Sequence, residues 1–369
     1  MSREFYIGLI SGTSIDGVDC ALVAFEGNKL ELVATHFEES KTSLREHILE
    51  LSNGTGISLS LFGETHVAVG KIYANAVQNL LSKTSISAKD ITAIGSHGQT
   101  IWHNPVGKNP FTIQIGDPNT IAQNTGITTV TDFRQKDIVL GGQGAPLAPL
   151  VHRELFLDDN FDRAIINIGG MANITALPAN GACFAYDTGP GNVLMDYWIS
   201  KNQEKRYDEN GSWGASGECN NGLLKYLLAD PYFSLKPPKS TGRELFNKHW
   251  LKGKLREYGK PIEPKNLQAT LSALTATSIA NAVSDFCSTS EVYICGGGVH
   301  NKFLMNNLRA FIPNPVIKTT QSLGIDPDWV ESVTFAWMAK QTIENRQVDT
   351  TAFTGSAKPS ILGGVYKGN

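Results

Sequence analysis

Apolar and polar positions follow two rhythms along this chain. Tyr6–Ile10 and Val18–Phe25 are apolar runs on either side of a short polar turn, which predicts a β-hairpin. Lys29–Phe37 predicts a third strand. The period then lengthens to that of a helix, over Thr42–Leu51, started by Thr42 or Ser43, and over Leu61–Leu81. Strands are expected at Ile91–Ser96, Thr112–Ile115 and Ile127–Val130, with a short helix at Pro118–Asn124 stopped near Gly126. A second start comes at Arg163. Ala164–Ile168 and Ala172–Ala176 flank the turn Gly169-Gly170, followed by a strand at Cys183–Tyr186 and a helix at Asn192–Ser200. A glycine-tipped hairpin followed by a strand and helices therefore occurs twice. The remainder reads as mostly helical, at Leu223–Leu228, Leu245–Trp250, Leu267–Phe286, Lys302–Ala310 and Val330–Thr342. One strand, Val292–Cys295, runs into Gly296–Gly298; Tyr232–Arg243 reads as a loop and 345–369 as a packed tail. The alternation indicates the α/β class, and the doubling suggests duplicated halves around a cleft.

Composition narrows the partners. A chain of 369 residues suggests two domains or three. Apolar residues make up 41% and charged ones 18%, as in a soluble protein with a sizeable core. The 36 glycines exceed the usual share of about 7%, so many tight turns are expected. A net charge of −3 without a basic block argues against nucleic acid as the main partner. No apolar run reaches the roughly 18 residues of a membrane span, and Met-Ser-Arg-Glu-Phe runs into a strand with no signal-peptide pattern. The five cysteines show no metal-ligand spacing, which fits a reduced, cytoplasmic protein. Cys20, Cys183, Cys287 and Cys295 lie in apolar segments and are read as core residues.

Chemistry concentrates at the turns. Between the first two strands lie Ser11, Gly12, Thr13, Ser14, Ile15, Asp16 and Gly17, with Val18 and Asp19 just beyond. Glycines let backbone approach a ligand, and N–H groups with hydroxyls at such a tip hold phosphate oxygens. Asp16 and Asp19 offer hard oxygen donors to a hydrated divalent cation. The same residue types also make an ordinary turn. Gly169-Gly170 suits a second phosphate-facing turn, and Gly296, Gly297 and Gly298 suit close approach to a flat ring system or simply a tight turn. Asp187, in Tyr186-Asp-Thr-Gly-Pro-Gly-Asn192, is expected to end a strand. It is either a proton acceptor or a cap of the following helix, and spacing does not choose between them. His97, in Ser-His-Gly-Gln-Thr-Ile-Trp-His, is a sugar-edge candidate or a structural histidine. Arg134 suits a bidentate carboxylate clamp or a surface ion pair. Glu331 suits a ligand contact or a helix-start acid.

Gly12-Thr-Ser-Ile-Asp-Gly-Val-Asp19, Ser96-His-Gly-Gln-Thr100, Asp132-Phe-Arg134, Asn167-Ile-Gly-Gly-Met-Ala-Asn173, Asp187-Thr-Gly-Pro-Gly-Asn192 and Gly296-Gly-Gly-Val-His-Asn301 together resemble the anhydro-N-acetylmuramic acid kinase family. The likeness covers nearly the whole chain; the one small departure is Ile15, where methionine is expected. It implies two duplicated actin-like (ribonuclease H-like) domains with an interdomain ATP cleft. The first would take residues 1–133 with part of 345–369, the second 134–344. It further implies ATP and Mg²⁺, an amino-sugar substrate, opening of its 1,6-anhydro ring by water, phosphorylation of O6, and a place in peptidoglycan recycling. By the same resemblance residues 12–19 hold ATP, Asp187 is the general base, Arg134 and Glu331 lie near the sugar, and the assembly is a homodimer. Two rival readings remain. One is an ordinary sugar kinase of this fold acting on a free hydroxyl. The other is a nucleotide-driven chaperone-like protein, against which stands the lack of a separate peptide-binding segment.

Overall fold

The computed structural model describes residues 3–12, 14–27, 29–54, 56–237, 239–286, 291–312 and 316–368. Thirteen strands are seen among them. In chain order they are β1 (Glu4–Ile10), β2 (Gly17–Glu26), β3 (Lys29–Glu39), β4 (Ile91–Ser96), β5 (Gln99–Asn104), β6 (Phe111–Ile115) and β7 (Thr129–Thr131). There follow β8 (Arg163–Ile168), β9 (Met171–Leu177), β10 (Phe184–Pro190), β11 (Glu291–Cys295), β12 (Ile317–Thr319) and β13 (Gly364–Tyr366). The chain divides into two units, Met1–Leu155 with Trp329–Asn369, and Phe156–Asp328.

In the first unit the sheet order is β13-β7-β4-β1-β2-β3. Strands β1, β2 and β3 form an antiparallel meander, and β4 and β7 run parallel to β1. Alternation along β1 decides what lies on each face. Ile7 and Leu9 join a core with Leu22, Tyr73 and Val77, the last two from the helix Leu59–Leu81. Gly8 faces the other way, where the helix Val330–Ile343 packs so closely that a Cβ would overlap the Ser332 carbonyl oxygen; at Gly95 the obstacle is the Phe335 carbonyl. Two strands thus carry glycine where a helix backbone lies flat on the sheet.

The second unit repeats the plan. Its order is β10-β9-β8-β11-β12, with β8, β9 and β10 antiparallel and β11 and β12 parallel to β8. Both sheets therefore read third-second-first-fourth-fifth, the ribonuclease H-like plan of actin-like proteins. Ala164, Ile166 and Ile168 pack with Leu271, Leu274 and Ile279 of the helix Pro264–Asp285 and with Leu304 and Leu308. That helix buries polar residues as well as apolar ones, and Thr275 uses its hydroxyl to tie down the Pro190 and Gly191 carbonyls at the end of β10.

Several expectations need correction. The division expected at 133 and 344 falls at 155 and 328 instead. The helix Val330–Ile343 and the Thr354 hydroxyl, bonded to Asp137, belong with the first sheet. The tail packs on the first unit as expected, and within it β13 pairs with β7. Neither Thr42 nor Ser43 caps the first helix; Lys41 holds that position without a side-chain bond. The helix expected from Leu245 starts at Lys248, because the Asn247 side chain accepts from His249 N and Trp250 N. Of the presumed core thiols, Cys20 and Cys295 are buried, Cys183 is half-buried, and Cys287 lies outside the described residues.

Candidate functional site

The hairpin tip of the first unit is tightly organised. Ile15 adopts φ +56°, an unusual backbone state for a β-branched residue, and its N–H closes a turn onto the Gly12 carbonyl at 3.2 Å. Ile15 and Val18 bury their side chains in the core, so these two residues have only backbone to offer a ligand. Gly17 packs against the Phe37 ring, while a Cβ at Gly12 would meet only Ser14 Oγ, at an ordinary contact distance of 3.9 Å. Asp16 is exposed and accepts from the Ser14 hydroxyl at 2.6 Å; Asp19 is half-buried on β2, in register with Ile10. Thr13 lies outside the described residues. Among the described residues no group of three His, Cys, Asp or Glu side chains gathers as a metal site.

A second cluster in this unit surrounds Arg134. The chain leaves β7, turns at Asp132 with φ +60°, and delivers Arg134 to the start of the short helix Gln135–Val139. Arg134 is no surface residue. Its Nε donates to His97 Nε2 at 2.9 Å and its Nη1 to the Gly144 carbonyl at 2.7 Å. The Gly144 loop is itself fixed by buried Asp137, whose carboxylate accepts from Gly144 N at 2.7 Å. Burial lowers the Arg134 pKa to about 10, opposed by the charges of Glu331 and Asp137. His97 is buried against Phe335, ring centroids 4.7 Å apart. Burial and the neighbouring guanidinium hold its pKa well below the usual value. Its Nδ1 lies 2.8 Å from the Gly98 carbonyl, so the neutral ring carries its proton there and accepts from Arg134 through Nε2. The structure thus brings His97, Arg134 and Glu331 together.

In the second unit the centre is Asp187. It does not end its strand. It sits within β10, one residue before a register shift between Asp187 and Gly189. Nor does it cap the next helix, whose N-cap is Asn192. The 232–241 segment holds it at three points. The Asp187 N–H donates to the Lys239 carbonyl at 3.2 Å, the Tyr232 hydroxyl donates to the Asp187 carbonyl at 2.6 Å, and Thr241 N donates to Oδ2 at 2.9 Å. Burial pushes the Asp187 pKa up to about 6; the Thr241 N–H opposes this and the Glu244 charge adds to it. Lys239 lies over the Tyr232 ring at 4.8 Å from its centroid.

The glycine turns of this unit sort by what surrounds them. The Gly169 and Gly170 carbonyls accept from the N–H groups of Asn192 and Gly191 at 2.9 Å, and the Gly169 N–H donates to the Met171 carbonyl at 3.1 Å, so the Gly170 N–H is the donor this turn can offer to a ligand. Gly296 has φ +79° and gives its N–H to Pro327 O at 2.9 Å; a Cβ there would overlap Asn167 Oδ1. Gly298 packs on Ile168, whereas Gly297 is exposed to open space. Tyr232 and Thr241 carry no functional signal in the sequence, where their stretch reads as a loop. Asn173 closes the Asn167–Asn173 motif as a polar residue in an apolar strand, and the register of β9 with β10 adds that it faces Asp187.

Residues 4–368 match the family model described as anhydro-N-acetylmuramic acid kinase. A relative of that name from Coxiella burnetii is 50% identical over 100% of this chain and 99% of its own length. One from Saccharophagus degradans is 47% identical over 99% and 100%. Among solved structures, the activator of the 2-hydroxyisocaproyl-CoA dehydratase from Clostridium difficile with bound ADPNP aligns over 92% of this chain and 97% of that one, at 14% identity and a TM-score of 0.47. No helix among the described residues is long and apolar enough to cross a membrane. With a full-length family match and relatives near half identity, this chain belongs to the anhydro-N-acetylmuramic acid kinase family.

Proposed function

We propose that the protein opens the 1,6-anhydro ring of anhydro-N-acetylmuramic acid with water and transfers the γ-phosphoryl group of ATP to O6. The product is N-acetylmuramic acid 6-phosphate, an intermediate in cytoplasmic recycling of peptidoglycan. The observation that carries this reading is Asp187: a carboxylate desolvated to a pKa of about 6 and pinned through its own backbone. A base poised near neutrality takes a proton efficiently at working pH.

Asp187 removes a proton from water as the water oxygen bonds to the anomeric carbon. The bond from that carbon to O6 breaks, and its electron pair stays on O6. O6 then bonds to the γ-phosphorus as ADP leaves. The anomeric centre passes through an oxocarbenium-like state, as in glycoside hydrolysis. Arg134 takes the lactyl carboxylate; with Nε and Nη1 held by His97 and Gly144, the fork is oriented before the sugar arrives. Glu331 serves a sugar hydroxyl. Gly12 and its neighbours receive the phosphates through backbone, as do Gly169 and Gly170, and Gly297 is the open position of the glycine turn that receives the nucleoside. Asp16 and Asp19 suit Mg²⁺, a hard ion that usually takes one or two carboxylates, water and phosphate oxygens. When bound, Mg²⁺ would neutralise phosphate charge.

The test is the reaction run in ¹⁸O water with mass spectrometry of the product. Label at the anomeric hydroxyl, with none in the phosphate ester, is expected. A phosphorylated sugar without solvent label would instead support a kinase acting on a free hydroxyl.

A further inference from the structure

Strand pairing sets Asn173 of β9 directly opposite Asp187 of β10, so the two side chains leave one face of the sheet as neighbours. Thr241 reaches the same carboxylate through its N–H on Oδ2. Asn173 Oδ1 and Thr241 Oγ1 are nevertheless buried and without a hydrogen-bond partner among the described residues. Buried polar atoms are normally satisfied, and each exception calls for a reason. Two such exceptions beside a carboxylate that burial holds toward its neutral form have a common reason if a small polar molecule sits among them.

We infer that Asn173 and Thr241, together with Asp187, hold the attacking water. This rests on the reading of Asp187 as general base. The three groups fill three of the four bonding positions of water. The ionised Asp187 carboxylate and the Asn173 carbonyl only accept, so each takes one water proton. The Thr241 hydroxyl donates to one lone pair. The second lone pair is left for the anomeric carbon. The proton facing Asp187 moves to its carboxylate as the carbon–oxygen bond forms; the proton facing Asn173 stays on the new anomeric hydroxyl. Both residues therefore orient the water, and neither changes protonation state.

Steady-state kinetics of Asn173→Ala, Thr241→Val and Thr241→Ser, with Asp187→Asn alongside, tests this. A misaligned nucleophile costs on the order of 10–100-fold, so kcat falls by that factor in Asn173→Ala and Thr241→Val. KM for sugar and for ATP stays within about twofold, because ground-state binding is untouched. Thr241→Ser keeps its hydroxyl and recovers most of kcat. Asn173→Asp, nearly isosteric, sets a second carboxylate beside the first and moves the acid limb of the pH–kcat profile upward. Unchanged kcat in Asn173→Ala or Thr241→Val overturns the inference, as does a raised sugar KM at constant kcat, or an unmoved acid limb in Asn173→Asp. An active Asp187→Asn enzyme would instead remove the general base itself, whatever the other variants do.

Discussion

In the first unit the candidate site is built round a cation, in the second round an anion, and both sheets share one strand order. Burial pushes each group toward its neutral form, Arg134 down to about 10 and Asp187 up to about 6. The same physical effect leaves very different reserves. Arg134 remains a fixed charge at any physiological pH, suited to holding an acid. Asp187 is brought to the edge of titration, suited to moving a proton. Their mountings differ accordingly. Arg134 is aimed by side-chain contacts to its guanidinium, whereas Asp187 is held through both backbone groups and one carboxylate oxygen. Two sheets of one strand order thus carry groups suited to opposite tasks, Arg134 just after the fifth strand of one and Asp187 within the third strand of the other.

The comparison breaks most easily at Asp187. Asp187→Asn should lose about 10²–10⁴-fold in kcat while ATP and sugar still bind, measured by turnover and by calorimetric titration. On the proposed reading the carboxylate is the active form in the unaltered protein. With its pKa raised to about 6, activity should fall on the acid side of that value and level off above it. An acid limb near the ordinary carboxylate range would mean that a different group is the base.

Arg134→Ala should come next. Losing a buried bidentate partner costs on the order of 2–5 kcal/mol, read here as a raised sugar KM with little change for ATP. No pH limb is expected from Arg134, since its pKa lies far above the working range. Equal losses for sugar and ATP would deny it a specific role toward the acid.

The smallest effects compare the glycine turns of the two units. Gly17→Ala and Gly298→Ala meet packed neighbours and should each lower stability by about 1–3 kcal/mol in denaturant titration. Gly12→Ala meets only Ser14 Oγ at 3.9 Å and Gly297→Ala enters open space, so each should stay within about 0.5 kcal/mol. Any loss of ATP affinity in the latter pair then reports ligand contact and not folding.

Sequence legibility followed the strength of each local signal. β1, β2, β8 and β9 are readable because apolar runs meet glycine-rich turns, and the long helices because their period persists over several turns. β13 has three residues and no usable period; only its pairing with β7 makes it a strand. Asp187 looked like a strand end because Gly189-Pro190-Gly191 follows, yet the ladder continues through a bulge to Pro190. The Arg134–His97 bond joins residues 37 apart and leaves no trace in either segment. The placement of Val330–Ile343 under the first sheet is signalled only by Gly8 and Gly95, two residues far away in sequence.

That last packing also bears on the order in which the protein is made. The second unit is one continuous stretch, Phe156–Asp328, but the first is completed only by Trp329–Asn369. A ribosome therefore releases every residue of the second unit before the helix that closes the back of the first sheet exists. Until then Gly8 and Gly95 leave a bare strip of backbone on β1 and β4, the kind of transient surface on which misassembly begins. Long-range contacts of this sort form slowly. Pulsed hydrogen exchange during refolding should find amides of β8, β9 and β11 protected before those of β1 and β4; simultaneous protection would show that the late helix does not limit the first unit.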